Sequence, residues 1–591
     1  MRKVMKDFLK YTLATIIGVI LSGTILFFIG AAILFGIVAS SESEVKVKPN
    51  SVMMLNFNGN VVERSQNNPL QQFFGDKFGS YGLDDILSSI KKAKDINDIK
   101  GIYIQANSLG ASFATAEEIR NALMDFKKSG KFIIAYADSY TQTMYYISSV
   151  ADKVFLNPQG AIEWRGISSQ PIFYKDLLQK IGIEMQVFKV GTYKSAVEPF
   201  IATEMSPANR EQVTNFIGSI WNQLLSDVSV SRKISKDTLN EYADRMFMFH
   251  PAEESVKARL ADSLIYRSEI KSYLKEISRI KGSDDLNILG LEDMVNVQRN
   301  VPMNKSGNCI AIYYAYGEID NGMDNEEEAI NSKKVIRDLG KLAKDDDVKA
   351  VVLRVNSPGG SAFGSEQIWH AVKTLKEKKP VIVSMGDYAA SGGYYISCAA
   401  DYILAEPTTL TGSIGIFGMI PNIKGLTDKI GITFDVVKTN KYSDIGNMSR
   451  ELSNDERSLI QMSVNQGYDL FIKRCAEGRS MSIDKLEKIA EGRVWTGSEA
   501  KRIGLIDELG GVNDALAIAA QRANIEEYTV VNLPEKVDFF SSLFEQDPSN
   551  YIKSMLIKGS IGEYYKTFDF IKSLEKADYM QARVPFDLNL K

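Results

Sequence analysis

Between residues 349 and 407 the apolar and polar positions follow two different rhythms. KAVVLRVN (349–356), PVIVSMGD (380–387) and DYILAEP (401–407) are short apolar runs bounded by turn formers, as strands are. SEQIWHAVKTLKEK (365–378) instead repeats its apolar positions at helical spacing, and GGYYISCAAD (392–401) reads as a second helix start. Strand and helix alternating at this spacing predict a mostly parallel sheet covered by helices, an α/β class.

The same rhythm occurs earlier in the chain. Residues 138–152, DSYTQTMYYISSVAD, align with residues 387–401, DYAASGGYYISCAAD, at an offset of 249. The matches include both aspartates and the Tyr-Tyr-Ile-Ser run. The offset also pairs Asn107–Gly110 with Asn356–Gly359, and Lys189 and Tyr193 with Lys438 and Tyr442. The body therefore reads as two copies of one unit, 50–300 and 301–545. A tail, 546–591, carries helical patterns in YIKSMLIK and FDFIKSLEKA, and the reading for it is a helix packed on the body.

The N-terminus breaks the pattern. Arg2, Lys3, Lys6 and Lys10 precede an uncharged stretch from Tyr11 to Ser41. About 20 apolar residues cross a bilayer, and a signal-peptide core is only about 7–15 long, so residues 1–41 read as a cytoplasmic stub and a retained anchor. Basic residues before the span, with Glu42 and Glu44 after it, place the N-terminus inside and the body outside the cytoplasm.

Composition narrows the classes. A net charge of −4 on 591 residues gives no footprint for nucleic acid. Three cysteines, Cys309, Cys398 and Cys475, far apart and without CxxC spacing, argue against disulfides and a zinc site and read as buried small hydrophobes. No metal or cofactor is implied.

The copies differ where chemistry is expected. Ser391 is flanked by Ala390 and by Gly392-Gly393; its counterpart is Gln142, followed by Thr143-Met144. A serine at a glycine turn before a helix sits where backbone N–H groups are free and negative charge is favoured. The N–H of Gly392 is placed to meet an oxyanion, and a second donor is expected from the Gly359-Gly360 turn. Each turn alone is equally a plain small-residue turn. A serine nucleophile needs a base, and the only histidines, His250 and His370, lie in no catalytic motif. Lysine is the alternative when it is desolvated. Lys194, in YKSAVEPF (193–200), has Ser443 as its counterpart. One copy kept the serine and the other the lysine, so one complete site is expected where the copies meet.

These motifs, with VNSPGGS at 355–361 and TGSIGI at 411–416, resemble the signal peptide peptidase A (protease IV) family in its long double-copy bacterial form. The likeness runs from the anchor to about residue 520. It implies two tandem ββα-spiral domains of the Clp-protease/crotonase kind. It also implies hydrolysis of cleaved signal peptides by a serine–lysine dyad, and a homotetramer anchored on the periplasmic face of the inner membrane. By that likeness Ser391 is the nucleophile, Lys194 the general base, and Gly359, Gly360 and Gly392 the oxyanion donors. Ser413, whose counterpart is Trp164, supports the lysine. Competing expectations are a crotonase-type acyl-CoA enzyme and a non-proteolytic membrane scaffold.

Overall fold

The computed structural model describes residues 10–26, 28–29, 45–65, 80–280, 285–298, 304, 306–321, 329–536 and 580–584. Residues 51–289 build one sheet, in the order Ser80–Gly82, Ser51–Val62, Ile99–Gly110, Phe132–Ala137, Lys153–Leu156 and Ser263–Leu264, with every pairing parallel. Residues 309–533 repeat the plan with Cys309–Tyr316, Val348–Ser357, Val381–Ala390 and Tyr402–Ala405 as consecutive parallel neighbours. The runs read as strands from the sequence are strands. Val348–Ser357 is buried at nearly every position because helices cover both faces, which explains its lack of alternation. SEQIWHAVKTLKEK falls on the helix Ala362–Lys376, whose first turn is capped by the Ser361 hydroxyl accepting from the Gly364 N–H.

A third sheet joins the copies. It runs Ala329–Ile330, Glu318–Ile319, Gly359–Ser361, Met580–Arg583, Phe417–Asn422 and Glu184–Lys189. Glu184–Lys189 from the first half pairs antiparallel with Phe417–Asn422 from the second over six residues. The seam between halves also buries charge. Arg354, 2% exposed, donates to Glu63 at 2.9 Å and to Glu118 at 2.7 Å, both from the first half. Breaking such a pair strands a buried charge at a cost of about 3–5 kcal/mol, so this contact fixes how the halves sit. Asp387 adds to it, accepting from Ser112, Thr115 and Asn356. The three cysteines are free and buried.

Two expectations meet limits. Residues 10–26 are helical, with Leu13, Ile16, Val19, Ile20 and Leu26 exposed, but residues 1–9, 27 and 30–44 lie outside the described residues. Among the described residues no helix is long and apolar enough to cross a membrane. In the tail, the predicted helical runs 551–558 and 568–577 also lie outside the described residues, whereas Met580–Arg583 forms a strand. Four residues are too short for periodicity to separate strand from helix, and a partner sheet decided the outcome.

Candidate active site

The strand Val381–Ala390 ends at Ser391, and the helix Gly392–Ser397 begins directly after it. Ser391 holds φ 56° and ψ −112°, a conformation that costs a non-glycine residue about 1–3 kcal/mol. Two backbone bonds maintain it: the Ser391 N–H donates 2.8 Å to the Gly412 carbonyl, and its carbonyl accepts from the Tyr395 N–H at 2.8 Å. The side chain is fully buried.

Lys194 arrives from the other half. Its loop is pinned by backbone bonds from Val190 to Ile416 at 3.2 Å and from Tyr193 to Glu491 at 2.9 Å. Gln212 holds the loop from behind, donating to the Tyr193 carbonyl and the Ser195 hydroxyl while accepting from the Val494 N–H. Arg493 stacks on the Tyr193 ring. The result places Lys194 Nζ 2.8 Å from Ser391 Oγ, 3.1 Å from Ser413 Oγ and 3.2 Å from the Ser413 carbonyl. Lys194 is fully buried, and among the described residues no carboxylate is a hydrogen-bond or ion-pair partner of it. Burial alone drives its ammonium well below the ordinary lysine range, because the charged form loses water and gains no counter-ion. Ser413 is also left-handed, with φ 49°, its N–H donating 2.7 Å to the Arg493 carbonyl.

The glycines separate by position. A Cβ on Gly360 would strike the backbone of Ile319 at 2.2 Å, so this residue packs on the neighbouring strand. A Cβ on Gly359 would lie 2.8 Å from the Gly392 nitrogen and 1.9 Å from the Ala582 carbonyl oxygen. Gly359 therefore lies between the serine helix and the strand Met580–Arg583, and with φ 100° it takes a conformation that favours glycine.

The arrangement sets a desolvated amine, its pKa lowered by burial, against a hydroxyl, beside the glycines Gly359 and Gly392. Such an amine can take the hydroxyl proton as the oxygen attacks. Neither histidine takes part: His250 bonds to the Arg245 carbonyl and faces Glu254, and His370 is exposed on its helix.

Residue-by-residue reading missed what makes room for the lysine. A Cβ on Gly492 would sit 2.7 Å from the Lys194 backbone, and one on Gly415 would sit 3.2 Å from Lys194 Cδ. Gly415 stands inside the TGSIGI motif and was the available signal; Gly492, in EGRVW, offered none.

Comparison with known proteins places the family. The model of peptidase family S49 matches residues 125–281 and 373–526, one stretch in each half, and the Clp protease model matches residues 317–409. Protease 4 of Salmonella typhi is 37% identical over 519 residues, covering 85% of this chain and 82% of its own. The chloroplastic serine protease SPPA of Arabidopsis thaliana is 32% identical over 496 residues, covering 83% and 72%. The chain belongs to peptidase family S49, in the long double-repeat form of its protease 4 relatives, and is a serine protease.

Proposed function

We propose that the chain is a membrane-anchored endopeptidase that degrades cleaved signal peptides and similar hydrophobic peptides through a Ser391–Lys194 dyad. The observation carrying this reading is the 2.8 Å approach of a buried, counter-ion-free Lys194 Nζ to Ser391 Oγ. Neutral Lys194 takes the Ser391 proton as Oγ attacks a peptide carbonyl. The oxyanion forms against the Gly392 N–H and the Gly359–Gly360 turn, where both flanking glycines lack the Cβ that would block it. Lys194 then protonates the leaving amine, and water releases the acyl group from Ser391. Ser413 is a positioning residue: its hydroxyl and carbonyl hold the lysine nitrogen in line with Ser391.

Residues 11–41 are the anchor in this reading, with the body on the periplasmic side. The exposed apolar side chains of 10–26 support it. A homo-oligomer, a tetramer by family likeness, is supported by the joining sheet. The counterparts of the paired strands Phe417–Asn422 and Glu184–Lys189 are residues 168–173 and 433–438, and neither forms a strand. They leave Ile172, Phe434 and Val437 exposed, as a contact between successive copies requires.

The test is hydrolysis of a hydrophobic signal-like peptide by detergent-solubilised protein. Ser391→Ala is expected to fall to background. Gly359→Ala is expected to lose about 10²–10³-fold in kcat, the scale of one oxyanion donor. A folded Ser391→Ala variant that still cuts would refute the assignment. Light scattering tests the assembly: Phe434→Glu with Val437→Glu is expected to give smaller species, and an unchanged mass removes that contact.

A further inference from the structure

The wall that covers Lys194 is closed from outside by side chains of both halves. Arg493, from the second half, stands over two rings, its guanidinium carbon 4.7 Å from the centre of Tyr193 and 4.5 Å from that of Trp495. It also donates 3.2 Å to the Tyr193 hydroxyl and pairs with Glu211 at 3.1 Å, and that hydroxyl donates 3.3 Å to the same carboxylate. Tyr193 and Glu211 belong to the first half. An arginine held by two rings and a carboxylate is fixed in direction as well as place, because its planar fork offers stacking faces and directed donors at once.

The main chain of the same residues lines the site. Tyr193 directly precedes Lys194, and the Arg493 carbonyl accepts from the N–H of Ser413, whose hydroxyl lies 3.1 Å from Lys194 Nζ. The outer side chains are partly exposed, Arg493 19% and Glu211 51%, whereas Lys194 and Ser413 behind them are fully buried. Of the other charged groups on the elements around Lys194, Glu198 accepts from Ser206 and Asn209, Lys189 is half-buried, and Arg210 and Glu491 are exposed. The serine turn 388–393 and residues 411–416 carry no charge. The second half closes its equivalent loop differently. Tyr442, the counterpart of Tyr193, lies against the neighbouring Lys441 and donates to Asp455, both of its own half, and Ser443, in the place of Lys194, is exposed.

We propose that Arg493 is a positioning residue for Lys194: clasped to Tyr193, Trp495 and Glu211, it closes the wall that keeps water from the amine. This rests on the Ser391–Lys194 reading above. Without Arg493 the Tyr193–Lys194 turn loosens and water reaches Nζ. Water stabilises the ammonium, so the base is protonated at neutral pH and cannot take the Ser391 proton. Raising the pH restores the free amine, which a merely structural role for Arg493 would not do.

The experiment measures kcat/KM of the detergent-solubilised full chain for a hydrophobic signal-like peptide from about pH 6 to about pH 10. Arg493→Ala is expected to lose about 10–10²-fold at pH 7 and to come within about threefold of wild type near pH 10, its rising limb moved to higher pH. Arg493→Lys, which keeps the charge but loses the planar stack, and Glu211→Ala, which keeps the stack, are expected to move the limb the same way by less. A fall of equal size at every pH, or a profile that does not move, overturns the proposal. Should Arg493→Ala fail to fold, Arg493→Lys and Glu211→Ala decide, and an unmoved limb in both overturns it. If Lys194→Met cuts like wild type, the dyad reading falls and takes this inference with it.

Discussion

The turn at Gln142 and the turn at Ser391 occupy the same place in two copies of one fold, and they have opposite contents. In the first half the turn is stitched shut. The Gln142 side-chain carbonyl accepts from the N–H groups of Arg165 and Gly166 at 3.0 and 3.1 Å, and its amide donates to the Gly166 carbonyl at 3.0 Å. Trp164 fills the space behind, edge-on to Tyr145 and donating to the Leu239 carbonyl. In the second half both corresponding residues are serines in left-handed conformations, and they enclose a buried amine with no counter-ion. The first arrangement pairs the Gln142 amide and the Trp164 indole; the second holds strained backbone and a desolvated amine. The contrast is between the two turns and not between whole halves, because the amine at the Ser391 turn comes from the first half.

Paired substitutions test that contrast, and the largest effect belongs to the nucleophile. Ser391→Ala is expected to lower kcat by at least about 10⁴-fold with little change in melting temperature. Gln142→Ala should leave kcat within about twofold and cost about 0.5–1.5 kcal/mol of stability, because two part-buried backbone N–H groups lose their acceptor. Activity assays beside denaturant melts would show this; a catalytic loss in Gln142→Ala would mean the first half contributes more than its lysine.

The second pair gives a smaller catalytic effect. Ser413→Ala removes one of the three acceptors around Lys194 Nζ and should cost about tenfold in kcat, the scale of one net hydrogen bond, and move the pH–rate profile. Trp164→Ala should cost about 3–5 kcal/mol with an unmoved profile. A profile that stays fixed in Ser413→Ala would reduce that serine to a turn residue.

The smallest effect concerns the seam between the halves. Burial, with Asp227 nearby, raises the Glu117 carboxyl from about 4.5 to about 8, although it accepts from Thr408. It is mostly neutral at pH 7 in the fold, so folding takes up a proton. That stabilisation is complete below about pH 4.5 and is lost as pH rises through about 8. Glu117→Gln should flatten the fall in melting temperature over this window; an equal slope in both proteins would assign the titration elsewhere.

Much of this was legible in the chain. Periodicity gave the strands around Ser391, and the offset of 249 turned a lone serine and a lone lysine into reciprocal halves of one site. What was hidden depends on contacts between distant segments. Gly492 matters because Lys194 packs against it across the seam, and nothing local distinguishes it from a turn glycine. Arg354 sits inside an apolar strand, and its partners Glu63 and Glu118 lie more than two hundred residues away. Residues 580–583 carry no strand signal of their own and take that form from the two strands between which they lie.

The central claim is that the first half supplies the base. Its most direct test is the pH dependence of kcat/KM for a hydrophobic peptide in wild type and in Lys194→Met, with folding checked by circular dichroism. Wild type should rise through one ionisation well below the ordinary lysine value and be active at neutral pH. Lys194→Met should be at background throughout and, freed of a buried amine, more stable by about 0.5–2 kcal/mol. Near-normal hydrolysis by Lys194→Met at neutral pH would mean that another base serves Ser391 and that the shared site is not the catalytic one.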